Sequence, residues 1–226
     1  QTALAPYDIA GHVTFTSGRE WGYWQYDHYL TRATWDRELT WSAYLDWIQP
    51  MYGALGGSAA EVLKQWTALQ RQHFYEDDPL LWFYMAGELA QDEIGELAGV
   101  LARRPKRSFQ SVYEMADTEH AAWRDADLAK LAEMKDAYAA LLGTLPTAAV
   151  DGGAVEGALQ GELIDVLTLW VDRLDHTIHL YEGVSAARGG DRAQADARLA
   201  QAQAITEGVL ARVAVAEGRY RYPLEI

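Results

Sequence analysis

The sequence contains no cysteine among its 226 residues. Disulfide bonds, thiolate nucleophiles and cysteine-ligated metals are therefore excluded, but the compartment stays open because a cysteine-free chain tolerates reducing and oxidising surroundings alike. Long apolar runs are also missing, since the longest, at residues 80–87, is far shorter than the roughly 20 residues of a membrane-spanning helix. We therefore expect no membrane span.

Basic residues are scarce, with 19 Lys and Arg against 33 Asp and Glu and a formal net charge of −14. The one basic cluster, at residues 103–107, is short and is interrupted by Pro105. Nucleic acid recognition requires a basic stripe that neutralises phosphates. Nucleic acids and anionic membrane surfaces are therefore not expected partners.

The residues that are present predict an all-α protein. Hydrophobic residues make up 50% of the chain and charged residues 23%, which is typical of a globular fold. After an N-terminal arm with one short extended piece at residues 12–16, the apolar residues recur with helical spacing. This spacing predicts helices at about 19–34, 41–52, 58–75, 79–103, 108–143, 155–188 and 191–218.

The composition changes along the chain. Five of the nine tryptophans lie between Trp21 and Trp47, whereas the sequence from residue 108 onward is rich in alanine. We therefore predict aromatic-rich N-terminal helices (domain 1–103) packed on a long antiparallel three-helix bundle (domain 104–226), or one continuous domain with the same order.

One group of polar residues has the spacing of metal ligands. At about 100° per residue, Asp172, His176 and His179 fall within about 60° of one another on a helix, and imidazole and carboxylate together suit several metal ions. This face points about 160° away from the apolar stripe through Leu167 and Leu174. The interpretation as a solvated face is therefore favoured over a metal-ion cofactor.

A second group lies inside an apolar stripe. His120 and Asp127 fall among the apolar residues of the predicted helix 108–143. A buried polar group is costly without a partner, so a hydrogen-bonded core histidine is the favoured interpretation. The alternative is a metal or small-ligand site. No complete catalytic constellation and no catalytic residue can be identified, because phosphate loops and nucleophile motifs are absent.

The aromatic stretch at residues 18–53 carries a family resemblance. A glycine with aromatics enters a helix at residues 22–24, Trp35 and Asp36 close it, and the next helix ends at Tyr52 and Gly53. This order resembles the junction in secreted bacterial hexosaminidase-like and glucuronidase-like glycosidases, where the last strand of a (β/α)8 barrel passes into a C-terminal helical region. Residues 12–16 stand in the place of that strand.

The resemblance implies a helical C-terminal or accessory part of a carbohydrate-active protein, which packs on an upstream barrel domain and supports its sugar pocket. It implies that the pocket is contacted by Glu20, Trp21, Tyr23, Trp24 and His28. It also implies a secreted or periplasmic bacterial protein. Gln1 is not an initiator Met, so we expect a processed or truncated N-terminus.

Three alternatives remain beside that interpretation. The aromatic residues are apolar on nearly all sides of their helix, which favours a role in core packing over sugar binding. The chain could instead be a stand-alone bundle that binds a metal ion or small ligand through His, Asp and Glu side chains. It could also be a non-catalytic scaffold or interaction module.

Overall fold

The computed structural model describes residues 24–73, 108–146 and 155–217. Every regular element in these ranges is helical, so the predicted all-α class is confirmed. The predicted extended piece at 12–16, the start of the first helix and the helix at 79–103 lie outside the described residues. None of the described helices is both long and apolar enough to cross a membrane.

The helices take their labels in chain order. They are α1 Trp24–Trp35, α2 Trp41–Ile48, α3 Gly56–Arg71, α4 Phe109–Glu114, α5 Asp117–Trp123, α6 Ala129–Gly143, α7 Val155–Arg188 and α8 Arg192–Glu217. A 3-10 segment, Gln49–Leu55, joins α2 to α3, and a π-helical segment, Arg124–Leu128, joins α5 to α6. The predicted bounds of the last two helices, 155–188 and 191–218, are confirmed to within one residue at each end.

Two predicted helices differ from the structure. The helix predicted at 41–52 ends at Ile48, because Pro50 cannot donate a backbone hydrogen bond and a 3-10 segment follows. The helix predicted at 108–143 is interrupted at Met115 and Ala116, whose ψ angles of 144° and 154° are extended. Apolar spacing continues across this break, so periodicity alone could not reveal it.

The chain divides into two compact units. The described part of the first unit comprises residues 24–64, 144–146, 155–166 and 216–217, and that of the second comprises residues 65–73, 108–143 and 167–215. The predicted domain boundary at residues 103 and 104 lies outside the described residues. It therefore stays a prediction.

The first unit has an apolar core built around α2 and the 3-10 segment. Thr40 begins α2 by accepting a hydrogen bond from the Ala43 N–H at 3.1 Å, which satisfies one free donor of the first turn. The side chain of Gln160 on α7 donates to the Tyr52 carbonyl at 2.6 Å. The buried apolar residues of this unit include Tyr44, Leu45, Ile48, Tyr52, Val62, Leu63, Leu159 and Leu163.

Two glycines shape the turn into α3. Gly53 has a positive φ of 54°, a conformation that favours glycine because it has no Cβ. Gly56 lies so close to the preceding segment that a Cβ atom there would be 2.4 Å from the Gln49 carbonyl oxygen. The 3-10 segment can therefore approach the start of α3 this closely only with glycine at position 56.

The second unit contains an antiparallel three-helix bundle. Trp123 contacts Tyr181, and further along the chain Tyr138 stacks on Trp170, so the α5–α6 segment and α7 run in opposite directions. The turn at Gly189 and Gly190 then reverses the chain, and α8 returns along α7. The buried residues of this bundle include Trp123, Leu131, Met134, Tyr138, Leu167, Leu174, Ile178, Tyr181, Ala195 and Ala202.

Candidate functional site

The described aromatic residues of α1 and α2 form one cluster in the first unit. Its inner members pack ring against ring. Trp41 stacks on Tyr26 with centroids 5.2 Å apart, also stacks on Tyr44, and contacts Tyr29 edge-on. The Tyr29 hydroxyl donates to the Leu39 carbonyl at 3.1 Å and ties the connecting loop to α1. This inner part of the cluster is core packing.

The outer part of the cluster is a stripe along α1. Trp24, His28, Arg32 and Trp35, which we call the α1 stripe, recur at intervals of four, four and three residues. They fall within about 80° of one another at about 100° per residue. One helical face therefore carries two indole rings and, between them along the chain, two nitrogen donors.

Two tryptophans at this site are unusually exposed. The side chain of Trp35 at the end of α1 is 90% exposed, and that of Trp47 on α2 is 49% exposed. Large aromatic residues are normally well buried, since each carries a large apolar surface. Exposed rings of this kind are available to a ligand or partner.

Trp47 is bordered by two nitrogen-bearing side chains of the α1 stripe. The Arg32 guanidinium carbon lies 4.2 Å from the centroid of the Trp47 ring, which is a cation–π contact. The His28 ring centroid is 5.4 Å from the Trp47 ring. We call Trp47, Arg32 and His28 the Trp47 patch.

His28 is held by the buried phenol of Tyr44. The Nδ1 atom of His28 lies 3.2 Å from the Tyr44 hydroxyl oxygen. Burial raises the pKa of Tyr44, so the hydroxyl keeps its proton. Burial and then the charge of Arg32 lower the pKa of His28, which favours a neutral imidazole.

This contact sets the proton position on His28. His28 is the hydrogen-bond partner of the Tyr44 hydroxyl, and a buried O–H without an acceptor is costly. The arrangement that satisfies this proton has the phenol donating to Nδ1. In this arrangement the proton of the neutral ring lies on Nε2.

Only part of the predicted sugar site can be compared with the structure. Glu20, Trp21 and Tyr23 lie outside the described residues. Trp24 is half-buried and stacks on Tyr52 with centroids 6.3 Å apart, and His28 lies beside Trp47. Both residues belong to the α1 stripe. Their assignment to a sugar-binding surface stays a prediction.

Sequence reasoning missed three members of this surface. Arg32, Trp35 and Trp47 were not predicted as ligand contacts. The spacing of Arg32 and Trp35 from Trp24 was available in the sequence, since it follows one face of a helix. The exposure of Trp47 was not, because it depends on how α2 packs against α1.

The structure places His120 and Asp127 in different surroundings. His120 is 8% exposed, and its Nε2 atom lies 3.0 Å from the Ser185 hydroxyl oxygen on α7. Burial, followed by the charges of Arg188 and Arg124, lowers the pKa of His120. Asp127 is half-buried in the π-helical segment. His120 has the partner that the favoured interpretation of a hydrogen-bonded core histidine requires.

The face that carries Asp172, His176 and His179 is not a freely solvated one. All three are half-buried, and Asp172 forms an ion pair with Arg212 of α8. The Arg198 guanidinium lies 3.3 Å from His179 Nδ1 and also forms an ion pair with Glu182 on α7. The interpretation as a solvated face was wrong because α8 returns along this side of α7.

The same residues offer little to a metal ion. Within the ranges that the structure describes, no three His, Asp or Glu side chains are grouped so that they could hold one. The pKa of His176 is lowered by burial and then by the charges of Arg173 and His179. Arginines of α8 are therefore the charged partners that the structure shows for this face.

Comparisons with known proteins add no relative. No family model matches the chain, and neither the curated proteins nor the solved structures include a match. The resemblance to glycosidase C-terminal regions therefore stays a prediction based on the residues themselves.

Proposed function

We propose that this chain is a helical accessory part of a carbohydrate-active protein, and that the exposed aromatic surface of its first unit contacts sugar. The surface comprises the α1 stripe and Trp47. The single observation that supports the proposal is the exposure of two indole rings, 90% at Trp35 and 49% at Trp47, beside polar donors.

The chemistry of sugars accounts for this arrangement. A pyranose ring has a face of C–H groups that packs on an aromatic ring, and hydroxyl groups around its edge that need hydrogen-bond partners. Trp35 provides an accessible ring, while His28 and Arg32 provide N–H donors on the same face of α1. Apolar rings and polar donors therefore share one face of α1, and a sugar needs both.

The rigid packing beneath the surface also supports the proposal. Tyr44 contacts His28 of the α1 stripe and stacks on Trp41, and Tyr52 stacks on Trp24. A preformed surface loses little conformational entropy when it binds. The inner aromatic rings thus act as core, and the outer ones remain available for contact.

The test is an array of immobilised neutral and acidic glycans, followed by fluorescence titration of the purified chain with each glycan that binds. We expect the tryptophan emission to change on binding. Trp35→Ala should weaken binding by about five- to tenfold, because one stacking contact of about 1 kcal/mol is lost. Since Trp35 is almost fully exposed, its replacement should leave the fold intact.

Tyr113→Ala is the matched control. Tyr113 is also an exposed aromatic residue, 53% exposed, but it lies in the second unit. Its replacement should not change the affinity. Absence of binding to every glycan on the array would refute the proposal, and the scaffold alternative, which predicts no sugar response, would then be preferred.

A further inference from the structure

Arg32 stands apart from the other interhelical arginines of this acidic chain. Arg188, Arg198 and Arg212 each form an ion pair with a carboxylate. The Arg32 guanidinium instead lies over the Trp47 ring, with its central carbon 4.2 Å from the ring centroid. It has no ion-pair partner among the residues that the structure describes.

The nearest acid in the sequence forms no ion pair with Arg32. Asp36 follows Arg32 by one helical turn, but its Oδ1 atom accepts a hydrogen bond from the Glu38 N–H at 3.1 Å. Asp36 therefore caps the start of the loop after α1. Among the described residues, no carboxylate accepts from the N–H donors of the Arg32 guanidinium.

The orientation of Arg32 over Trp47 suits an anion that presents two neighbouring oxygens. Arginine offers paired N–H donors that match the two oxygens of a carboxylate, and stacking on the indole restricts the guanidinium without using these donors. His28 borders the same ring, with its proton on the Nε2 atom. The Trp47 patch therefore combines an aromatic ring, a cation and a neutral donor.

We infer that the Trp47 patch binds the negatively charged group of an acidic sugar, a carboxylate or a sulfate, with Arg32 as the residue that selects for charge. The inference rests on the proposed function and names the substrate class of the same surface. Because the whole chain carries a net charge of −14, it repels extended polyanions. A sugar with a single acidic group therefore fits better than a nucleic acid or a polyanionic glycan.

The test uses the same glycan array with wild-type chain and Arg32→Gln. The array contains neutral glycans and glycans with one carboxylate or sulfate. Each bound carboxylate glycan is then titrated in solution beside its methyl ester, which keeps the shape and removes the charge. We expect Arg32→Gln to weaken binding of acidic glycans by roughly tenfold, because a charge-assisted contact is lost, and to leave neutral esters unchanged.

Arg192→Gln is the matched control for charge. Arg192 is an exposed arginine at the start of α8 in the second unit, so its replacement makes the same change in net charge away from the patch. Circular dichroism of both variants checks that the helices are retained. We expect Arg192→Gln to bind acidic glycans like the wild type.

The outcomes separate this inference from the proposed function. If acidic glycans and their neutral esters bind equally and Arg32→Gln changes neither, the charge selection is wrong while sugar binding stands. If Arg192→Gln weakens the binding of acidic glycans as much as Arg32→Gln does, the effect comes from the net charge of the chain. The assignment of the Trp47 patch as the binding site is then wrong. If no glycan binds at all, the proposed function fails, and the inference fails with it.

Discussion

His120 and Ser185 are 65 positions apart in the sequence, yet the Nε2 atom of His120 lies 3.0 Å from the Ser185 hydroxyl oxygen. The contact joins α5 to α7 inside the antiparallel bundle. Trp123 packs beside His120 with ring centroids 5.4 Å apart. A polar pair thus occupies a position in an otherwise apolar stripe, and it contributes to the bundle through a hydrogen bond.

The first prediction concerns the energy of this pair. His120→Ala, Ser185→Ala and the double variant form a double-mutant cycle, measured by urea unfolding with circular dichroism. We expect a coupling free energy of about 0.5–1.5 kcal/mol, which is typical of one intramolecular hydrogen bond. If the two single changes add without coupling, the hydrogen bond does not contribute to stability.

The second prediction concerns pH. Burial, the largest cause, lowers the pKa of His120 below its ordinary value of 6.5. As the pH falls below about 6.5, the unfolded chain binds a proton that the folded chain does not, so the free energy of unfolding decreases. The stability that the neutral His120 contributes is fully present above that pH. It is lost as the pH falls towards the lowered pKa of His120 in the folded state.

His120→Gln tests the source of this pH dependence, because glutamine cannot titrate but can still bond to Ser185. We expect its unfolding free energy to fall less steeply than that of the wild type between about pH 7.5 and 5.5, where carboxylates of ordinary pKa stay ionised. Equal slopes would show that His120 does not titrate differently in the folded chain. His28 and His176 also have lowered pKa values, so some dependence should remain.

The third prediction compares two neighbouring glycines. A Cβ at position 56 would lie 2.4 Å from the Gln49 carbonyl oxygen, whereas a Cβ at position 57 meets nothing within 4 Å. We expect Gly56→Ala to destabilise the chain by about 2 kcal/mol or more because the backbone must move. Gly57→Ala should be neutral or stabilise by about 0.5 kcal/mol. Similar thermal midpoints for both variants would contradict the close approach.

The fourth prediction concerns the helix break before α5. The Arg188 side chain donates to the Met115 carbonyl from Nη2 at 2.8 Å and from Nε at 3.2 Å, and it also pairs with Asp117. A lysine side chain has a single nitrogen, so it cannot donate to the carbonyl from two fixed nitrogens as the guanidinium does. We therefore expect Arg188→Lys to destabilise the chain by about 1–2 kcal/mol, measured by urea unfolding.

Asp117→Asn is the control for the Arg188 variant. The Asp117 carboxylate is exposed to solvent, and exposed ion pairs contribute little to stability. The unfolding midpoint should therefore stay close to that of the wild type. A larger loss in Asp117→Asn than in Arg188→Lys would mean that the ion pair, and not the carbonyl contact, holds the break.

Helix positions were predictable from sequence where the pattern is local. The apolar spacing of α7 predicted a buried stripe through Leu167 and Leu174, and both residues are buried in the bundle. The same method failed at Met115 and Ala116, because the break there is held by Arg188, 73 residues away from Met115. Long-range contacts of this kind leave no periodic signal.

The candidate site divides in the same way. The placement of Trp24 and His28 on one face of α1 follows from helical geometry alone. The exposure of Trp47 and the position of Arg32 over its ring depend on the packing of α2 against α1. The polar face of α7 was misjudged as solvated because its partner, α8, is brought back by a turn after α7.

The amino-acid sequence by itself determined the helical class, the bounds of α7 and α8 and the buried apolar stripe of α7, because apolar spacing and helix-breaking residues act over a few turns of chain. Only the tertiary structure decided which polar residues are paired and which are open. Arg212 pairs with Asp172 on the neighbouring helix, while Arg32 stacks on Trp47. The physical reason is that pairing and exposure depend on which helix faces meet, and those meetings join residues far apart in the chain.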